Sequence, residues 1–265
     1  MSLSFKMNSK DYFPLNPDEV HTWSACLSEN ERNASYFTTL LSQDEQERAR
    51  RFRFSRDQKR YTIFRGILRS LLAGYLGESP QRIEILYGLW GKPCLPKEKN
   101  LSFNLSHSGD YALYAFTQHY EIGIDLEYRD ESLELEDMAR SIFSTIEFSH
   151  WQDLNAEEKV NSFFKHWVSK EAFLKALGKG WLESSHALAL LETTLREKND
   201  LKQEQSSYSR ENGKIAAWPY FFEGIPGYAS ALFVEGPPLT PLHYLWGKDS
   251  LQDFSRGPFL SANAC

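Results

Sequence analysis

Cysteine is scarce in this sequence of 265 residues. Only Cys26, Cys94 and Cys265 occur, and no two of them form a CxxC pair. An odd and scattered set gives neither a disulfide framework nor the ligand spacing of a structural zinc site. Free thiols are typical of a reducing compartment, so we expect a cytoplasmic protein.

Long apolar runs are lacking as well. A secretory leader needs a continuous apolar stretch, and Lys6, Asn8, Lys10 and Asp11 interrupt the first residues. Nowhere does the sequence approach the roughly 20 apolar residues that span a bilayer. We therefore expect no membrane-spanning segment and no membrane partner.

Positive charge is in deficit, since 30 Lys and Arg residues stand against 36 Asp and Glu residues and the formal net charge is −6. General affinity for nucleic acid requires a broadly basic surface, so no nucleic-acid partner is expected. The hydrophobic fraction of 41% allows one large domain or two modest halves.

The hydrophobic pattern switches twice from helical spacing to short strand-like runs. Helical spacing covers 42–76, 142–151 and 160–177. The strand-like runs are 83–86, 101–105, 111–116, 122–127, 188–195, 216–222 and 228–234. This order predicts an α+β chain built from two similar halves.

We expect the boundary between the halves near 118–121. The prediction assigns 1–119 to an N-terminal lobe, 120–236 to a C-terminal lobe and 237–265 to a partly ordered tail rich in Pro, Gly and Ser. The polar stretch 196–214 is expected to be an exposed loop or a long hairpin tip. Two lobes in one chain favour a monomer.

Acidic side chains alternate with apolar ones over 123–127. On a strand, Asp125 and Glu127 share one face, while the apolar residues of the segment point to the other. Either the acidic face is solvated, or a bound cation offsets the repulsion between the two carboxylates.

Glu171 falls in the apolar stripe of the last helical segment, four residues after Trp167 and three after Val168. A carboxylate on a core-facing stripe needs a partner, because burying it alone is costly. The partner is either a salt bridge or a metal ion shared with Asp125 and Glu127. Three carboxylates without a thiolate favour a hard cation, magnesium or manganese.

Nine Lys or Arg residues and one acid, Asp57, occupy 48–69 of this acidic chain. The run is either a solvated helix face or an anion site in which arginines bind phosphate. Lys92 lies in the turn 91–93, and the Ser- and Gly-rich stretch 104–109 is predicted to be a turn after a strand. Both would suit a ligand with several phosphates, because turns of this kind offer donors to phosphate oxygens.

Taken together, these segments resemble the 4'-phosphopantetheinyl transferase superfamily, and within it the two-lobed type that activates surfactin synthetase. A DxE motif followed about forty residues later by WxxKE is specific for this superfamily, and the likeness covers 42–234. The matching motifs are Gly91-Lys92-Pro93, Phe103-Asn104-Leu105-Ser106-His107-Ser108, Gly123-Ile124-Asp125-Leu126-Glu127 and Trp167-Val168-Ser169-Lys170-Glu171.

The resemblance implies a two-lobed, pseudo-twofold enzyme with its active site between the lobes. Such an enzyme transfers 4'-phosphopantetheine from coenzyme A to a serine of an apo acyl or peptidyl carrier protein and releases 3',5'-ADP, with Mg²⁺ or Mn²⁺ bound. A non-catalytic module of the same fold, which binds coenzyme A or a carrier protein, is the alternative. The intact motif set counts against that alternative.

The resemblance also assigns site residues, position by position. Asp125 and Glu127 match the magnesium pair, and Glu171 matches either a third metal ligand or the base that acts on the acceptor serine. The residues that match contacts to coenzyme A are Arg48, Arg60, Lys92, Ser106, His107 and Lys175.

Among these contacts, Lys175 matches the lysine that holds the reacting phosphate, and Ser106 and His107 match residues on the 3'-phosphate side. Two positions depart from the family pattern. Glu45 stands where a lysine is usual, and Tyr61 stands where a threonine is usual. One phosphate contact is therefore expected to be missing or moved.

The carrier proteins of this family's reactions are small, acidic and helical. Like net charges repel, so docking on this acidic chain is expected to depend on a local patch. The apolar candidates for that patch, which could equally pack on the protein's own core, are Ile142, Phe143, Ile146 and Phe148.

Overall fold

The computed structural model describes residues 13–178, 207–210, 213–221 and 224–247. The predicted strand 188–195 lies outside the described residues, as does most of the predicted loop that follows it. None of the described helices is both long enough and apolar enough to cross a membrane.

Helices and strands are mixed along the chain, as predicted for an α+β fold. The helices are α1 (Ala34–Leu40), α2 (Gln43–Arg50), α3 (Ser55–Leu76), α4 (Leu135–Ile142), α5 (Thr145–Gln152) and α6 (Ala156–Leu177). The strands are β1 (Glu19–Cys26), β2 (Leu86–Tyr87), β3 (Pro93–Cys94), β4 (Ser102–Ser108), β5 (Tyr111–Thr117), β6 (Ile122–Tyr128), β7 (Ser207–Arg210), β8 (Gly213–Phe221), β9 (Tyr228–Glu235) and β10 (Thr240–Leu245). Short 3-10 helices occur at Ser28–Asn33, Pro80–Arg82 and Lys97–Lys99.

Two of the predicted helices are each divided in the structure. The segment 42–76 forms α2 and α3, with a break at 51–54, and the helical stretch near 142–151 is split between α4 and α5. Ser144 caps α5 through a capping box, since its hydroxyl accepts from the Glu147 backbone while the Glu147 carboxylate accepts from the Ser144 backbone. That box starts a new helix where hydrophobic spacing alone predicted a continuous one.

The first sheet has the strand order β10-β1-β5-β4. β1 pairs antiparallel with β5 and parallel with β10. The helix α3 covers one face of this sheet and buries Ile63, Ile67 and Leu71 against it. Within the segment 237–265, which was expected to be a partly ordered tail, residues 240–245 complete the first sheet.

The second sheet has the strand order β6-β9-β8-β7. The helix α6 packs on β6 and β9, and the approach is closest at Gly123, where a Cβ atom would overlap the backbone of Ala172 and Ala176. α6 begins at the cap Asn155 and ends at Gly178, whose φ of +62° is a left-handed conformation that glycine adopts without strain. This packing fixes α6 directly over β6.

The two halves meet along the face of β6 that points away from α6. Ile122, Ile124 and Leu126 are fully buried there, in one cluster with residues of the first sheet such as Val20 and Leu113. The predicted two-sided character of this strand is confirmed, since its acidic residues point to the α6 side. The halves therefore form a continuous layered body, with β4 and β6 side by side at the junction.

Two of the nine cations in 48–69 are internal. The buried carboxylate of Glu45 on α2 forms ion pairs with Arg65 and Arg69 on α3. The interpretation of the whole run as a solvated face or an anion site is therefore wrong for these two arginines. Most of the remaining cations are exposed, and the segment 50–56 carries four arginines at the surface.

Candidate active site

Alternate side chains of β4 bridge to β6 across the junction of the two halves. Asn104 Oδ1 accepts a hydrogen bond from the Ile124 backbone at 2.9 Å. Ser106 Oγ donates to Asp125 Oδ1 at 2.8 Å, and Ser108 Oγ donates to Glu127 Oε2 at 2.7 Å. One face of β4 thus holds both acidic residues of β6 in place.

The predicted turn over 104–109 is mostly strand. β4 extends to Ser108, and its backbone pairs with β5 as the edge strand of the first sheet, so this stretch is not a turn that folds its N–H groups around one phosphate. Strand geometry also places Ser106 and His107 on opposite faces. Only the end of the stretch, at Gly109, turns.

Lys175 joins the two halves of the site. Its Nζ lies 2.6 Å from Asp125 Oδ1, 3.2 Å from Ser106 Oγ and 3.3 Å from the Ile124 carbonyl. The side chain is about half-buried whereas that of Asp125 is almost fully buried. A cation from α6 therefore contacts a carboxylate of β6 and a hydroxyl of β4.

The second oxygen of Asp125 has a different environment. Asp125 Oδ2 is buried and has no hydrogen-bond partner within the described residues. A buried carboxylate oxygen without a donor is costly. A bound cation or a hydrogen-bond donor on a ligand could therefore satisfy Asp125 Oδ2.

Glu127 is held at both oxygens. Ser108 donates to Oε2, and the indole N–H of Trp167 donates to Oε1 at 3.4 Å. Burial raises the pKa of Glu127, and the negative charge of the neighbouring Asp125 raises it further. The hydrogen bonds from Ser108 and Trp167 lower this pKa but do not cancel the rise. The rise in the pKa of Glu127 therefore reflects mainly the cost of burying this carboxylate, to which the negative charge of Asp125 adds.

Glu171 is only partly buried, and the neighbouring Lys170 is the residue that enters the core. Lys170 Nζ donates to the Ile142 carbonyl and to Glu147 Oε2 at 2.6 Å. Within the described residues, no three Asp, Glu, His or Cys side chains are placed to hold a metal ion. Glu171 therefore does not complete a preformed cage with Asp125 and Glu127.

His107 lies on the other side of β4, at the surface. Its ring packs edge-on against Phe64 of α3, with a centroid distance of 4.6 Å. Partial burial of the ring lowers the pKa of His107, and the positive charges of Lys175 and Arg60 lower it further. Two cations are therefore close enough to act on this imidazole, which is consistent with an anion-binding surface.

The other predicted contacts to coenzyme A occupy separate positions. Arg60 pairs with Asp110 at 2.5 Å, and exposed Arg48 lies over the ring of Tyr61 with its guanidinium carbon 5.5 Å from the centroid. Lys92 pairs with Glu121 at 2.8 Å.

Lys92 also reaches the Ala176 carbonyl at 3.4 Å, at the end of α6. Lys92 of the first half thus reaches the end of α6, the helix of the second half that carries Lys175.

The apolar strip proposed for docking is only partly at the surface. Ile142 and Phe143 are buried in the core of the second half, so their role as docking residues is wrong. Ile146 is 48% exposed, and Phe148 packs on Trp151. The break between α4 and α5 turns the first two residues inward.

Sequence reasoning missed several residues that support this site. Ser108 and Trp167 hold Glu127, Asn104 holds β6, and Asp110 holds Arg60. The signal for the first group was present, because Asn104, Ser106 and Ser108 alternate along the strand with polar side chains on one face. No comparable local pattern indicates Asp110.

Comparison with known proteins gives a consistent picture. The family model described as the N-terminal part of 4'-phosphopantetheinyl transferase matches residues 21–119. The model of the 4'-phosphopantetheinyl transferase superfamily matches residues 121–226. Together they span the sheet junction and every residue of the site described above.

Several curated relatives are similar over part of their length. The chain is 43% identical over 166 residues to 4'-phosphopantetheinyl transferase HetI of Nostoc sp., covering 62% of this chain and 70% of that protein. It is 33% identical over 152 residues to 4'-phosphopantetheinyl transferase Sfp of Bacillus subtilis, covering 57% and 65% respectively.

A third relative is a putative 4'-phosphopantetheinyl transferase of Synechocystis sp. It is 36% identical over 146 residues, which is 54% of this chain and 59% of that protein. Both family models match this chain, and its similarity to HetI extends over 166 residues. The residues joined across β4, β6 and α6 lie within the matched ranges. The chain belongs to the 4'-phosphopantetheinyl transferase superfamily.

Proposed function

We propose that this protein transfers the 4'-phosphopantetheine group of coenzyme A to a serine of an apo acyl or peptidyl carrier protein and releases 3',5'-ADP. One observation carries the proposal. Lys175 of the WxxKE-containing helix contacts Asp125 of the DxE strand and Ser106 of β4 within 3.2 Å. Three separate motifs thus meet at one point between the two halves.

The residues present fit a hard divalent cation. Asp125 and Glu127 offer only oxygen ligands, and Asp125 Oδ2 is a buried oxygen without a donor in the described residues. Magnesium is commonly held by one or two carboxylates together with substrate phosphates, so a three-residue cage is not required. We propose that Asp125 and Glu127 hold Mg²⁺, with Mn²⁺ as a substitute.

A bound Mg²⁺ would neutralise charge on the pyrophosphate of coenzyme A as 3',5'-ADP departs. Lys175 is the proposed contact to the phosphate that accepts the serine oxygen, and this is supported by its partly exposed side chain, whose ammonium lies beside Asp125 and Ser106. Lys92, from the first half, would contact the pyrophosphate beside the end of α6. Both lysines would stabilise negative charge that grows on phosphate oxygens.

Glu171 precedes Lys175 by one helical turn, so both side chains can reach one phosphate placed over that face. We propose Glu171 as the group that accepts the proton of the acceptor serine, directly or through water. A carboxylate that takes this proton lets the serine oxygen bond to the β-phosphorus as the bond to the leaving phosphate breaks. Positioning and charge supply most of the rate, as in phosphoryl transfer generally.

The nucleotide side of coenzyme A is assigned to His107, Arg60 and Arg48. His107 and Arg60 are electrostatically coupled in this structure, and Arg48 lies over Tyr61, close to the same end of α3. Arginine binds phosphate through a planar fork of donors. These residues are the proposed contacts to the 3'-phosphate and the ribose.

Mass spectrometry of a panel of apo carrier proteins tests the proposal most directly. After incubation with coenzyme A and Mg²⁺, an acceptor should gain the mass of one phosphopantetheine group, and a carrier whose serine is replaced by alanine should not. Binding of the carrier without any mass change across the panel would instead indicate a non-catalytic module.

Three further properties are proposals of the same kind. The scattered cysteines favour a cytoplasmic location, and two halves within one chain favour a monomer. The physiological partner is proposed to be a carrier domain rather than nucleic acid. Two arginines of the basic run, Arg65 and Arg69, pair with Glu45 inside the protein and are not available to a nucleic acid.

Replacing His107 with alanine should weaken coenzyme A more than dephospho-coenzyme A. A hydrogen bond to a charged group contributes about 1.5–3 kcal/mol, so the dissociation constant of coenzyme A should rise about tenfold or more. Isothermal titration with both ligands checks the result. Equal losses for the two ligands would show that His107 does not contact the 3'-phosphate region.

Replacing Lys175 with alanine should lower the turnover rate about a hundredfold, the loss typical of removing one charge-stabilising donor. Affinity for the carrier protein should stay nearly constant, because the ammonium acts on phosphate. Glu171→Gln keeps the shape of the side chain and should also lose turnover.

The double variant tests whether Glu171 and Lys175 share one catalytic role. If both residues serve one transition state, Glu171→Gln with Lys175→Ala should be scarcely slower than the poorer single variant. Steady-state rates of the four proteins, with thermal melts, decide the point. Unchanged rates with small shifts in melting would show that Glu171 and Lys175 do not act on the reacting phosphate.

A further inference from the structure

Asp110, in the turn between β4 and β5, accepts three side-chain donors. Its Oδ1 accepts from Arg60 Nη2 at 2.5 Å. Its Oδ2 accepts from the hydroxyl of Ser28 and from Cys26 Sγ at 3.4 Å. Although burial alone would raise it, hydrogen bonds from Ser28 and Arg60 lower the pKa of Asp110, so the carboxylate is ionised at neutral pH.

The second half of the molecule fixes the position of this turn. The Asp110 backbone N–H donates to the hydroxyl of Tyr228 on β9 at 3.1 Å. Gly109 has φ of +51°, and a Cβ atom there would lie 2.5 Å from that hydroxyl. Only glycine allows both this backbone conformation and this close approach. Asp110 is therefore held by its neighbours on both sides of the junction.

Arg60 is proposed above as a contact to the nucleotide end of coenzyme A. The ion pair uses a single nitrogen of its guanidinium, which has five N–H donors in a rigid fork. A partly exposed arginine that is already oriented loses less freedom when it binds an anion. The side chain is 25% exposed, and its charge acts on His107, so the fork is held close to the proposed phosphate contact.

We propose that Asp110 is a positioning residue that orients Arg60 for coenzyme A, with the Tyr228–Gly109 contact holding the turn in register. This inference rests on the proposed function, since it requires coenzyme A to be the ligand. Asp110 does not touch the substrate. Its negative charge opposes anion binding, but both of its oxygens are already engaged, Oδ1 by Arg60 and Oδ2 by Ser28 and Cys26, so in this proposal the gain in orientation outweighs the repulsion.

The test compares coenzyme A affinity and turnover in matched variants of the full chain. Asp110→Asn keeps the size of the side chain and should raise the dissociation constant of coenzyme A about fivefold to tenfold in isothermal titration, with kcat within about twofold of wild type. Ser28→Ala leaves the carboxylate but removes one support, and it should give a smaller rise in the same direction. Glu78→Gln removes a comparably exposed ion pair with Lys99 and should change neither quantity.

A double-mutant cycle assigns the effect to Arg60. In an Arg60→Ala background, Asp110→Asn should cause no additional loss, because the residue it orients is gone. Unchanged or tighter binding by Asp110→Asn, or losses that add to those of Arg60→Ala, would overturn the inference while the proposed function stands. If wild-type protein binds no coenzyme A at all, both the inference and the proposed function fall.

Discussion

Asp125→Asn is expected to lower phosphopantetheine transfer about a thousandfold or more, at saturating Mg²⁺, while the protein remains folded. The asparagine keeps the shape of the side chain but removes the charge that faces Lys175 and the proposed cation. Loss of one ligand of the proposed Mg²⁺ removes several kcal/mol of transition-state stabilisation, and about 1.4 kcal/mol corresponds to each factor of ten.

The contacts of Asp125 decide how much this side chain contributes to stability. Repulsion between the carboxylates of Asp125 and Glu127 alone would predict that removing one of them costs the fold nothing. Asp125 in fact pairs with Lys175 and accepts from Ser106, so truncation to alanine would remove the counter-charge of Lys175 and the acceptor of the Ser106 hydroxyl. Lys175 is partly exposed and can turn to solvent, and asparagine can still accept from Ser106. The melting temperature should therefore fall only slightly for asparagine.

Transfer by Asp125→Asn is measured by carrier mass shift over time, with circular dichroism and thermal melts of the same samples. Glu136→Gln is the matched control, because it removes a surface carboxylate that pairs with Arg140 on the same helix, and it should leave the rate unchanged. A near wild-type rate for Asp125→Asn with saturating Mg²⁺ would rule out Asp125 as a metal ligand.

Local periodicity predicted the parts of the site that depend on a single element. Alternation along 123–127 placed Asp125 and Glu127 on one face, and the strand does present them together towards α6. The period of two is a property of any strand, so no tertiary information was needed. The two-lobed α+β fold followed from the order of such segments.

Pairing between distant segments could not be predicted in the same way. β10 lies beside β1 although 221 residues separate Glu19 from Thr240, and neither segment carries a local signal for its partner. A short strand with no alternation, such as β1 with six successive buried residues, is hard to distinguish from a buried helix segment. Register between such strands is decided by packing.

The buried charge on α6 shows the same limit at the level of one residue. Trp167 and Val168 suggested that Glu171 faces the core, whereas Lys170 does so. The Lys170 ammonium donates to the carboxylate of Glu147, a capping-box residue of α5, and to the Ile142 carbonyl at the end of α4. A partner from another helix decides which side chain can be buried, and helical spacing does not contain that information.

Glu45→Gln is expected to destabilise the protein by about 3–5 kcal/mol, the cost typical of breaking a buried ion pair by removing one partner. Both carboxylate oxygens are engaged, Oε1 with Arg65 and Oε2 with Arg69. All three side chains are almost fully buried. A glutamine in the same place would leave two buried guanidinium groups without a counter-charge.

The surrounding contacts make relaxation of this cluster difficult. Arg69 also donates to the carbonyls of Pro80 and Ile83, which ties it to the segment after α3. Glu45 closes the capping box of α2 by accepting from the Ser42 backbone. Loss of the carboxylate should therefore loosen α2 against α3 and weaken the start of α2 at the same time.

Urea unfolding of wild type and Glu45→Gln measures the effect through the transition midpoint. Glu47→Gln on the same helix is the control, because that side chain is exposed, and its change in unfolding free energy should stay within about 0.5 kcal/mol. Replacing Glu45, Arg65 and Arg69 together with methionine removes all three charges and should recover most of the lost stability, since apolar substitutes for a buried ionic cluster are often neutral or better. A loss below about 1 kcal/mol for Glu45→Gln would mean that water reaches the two arginines, and they would then count among the cations available to phosphate.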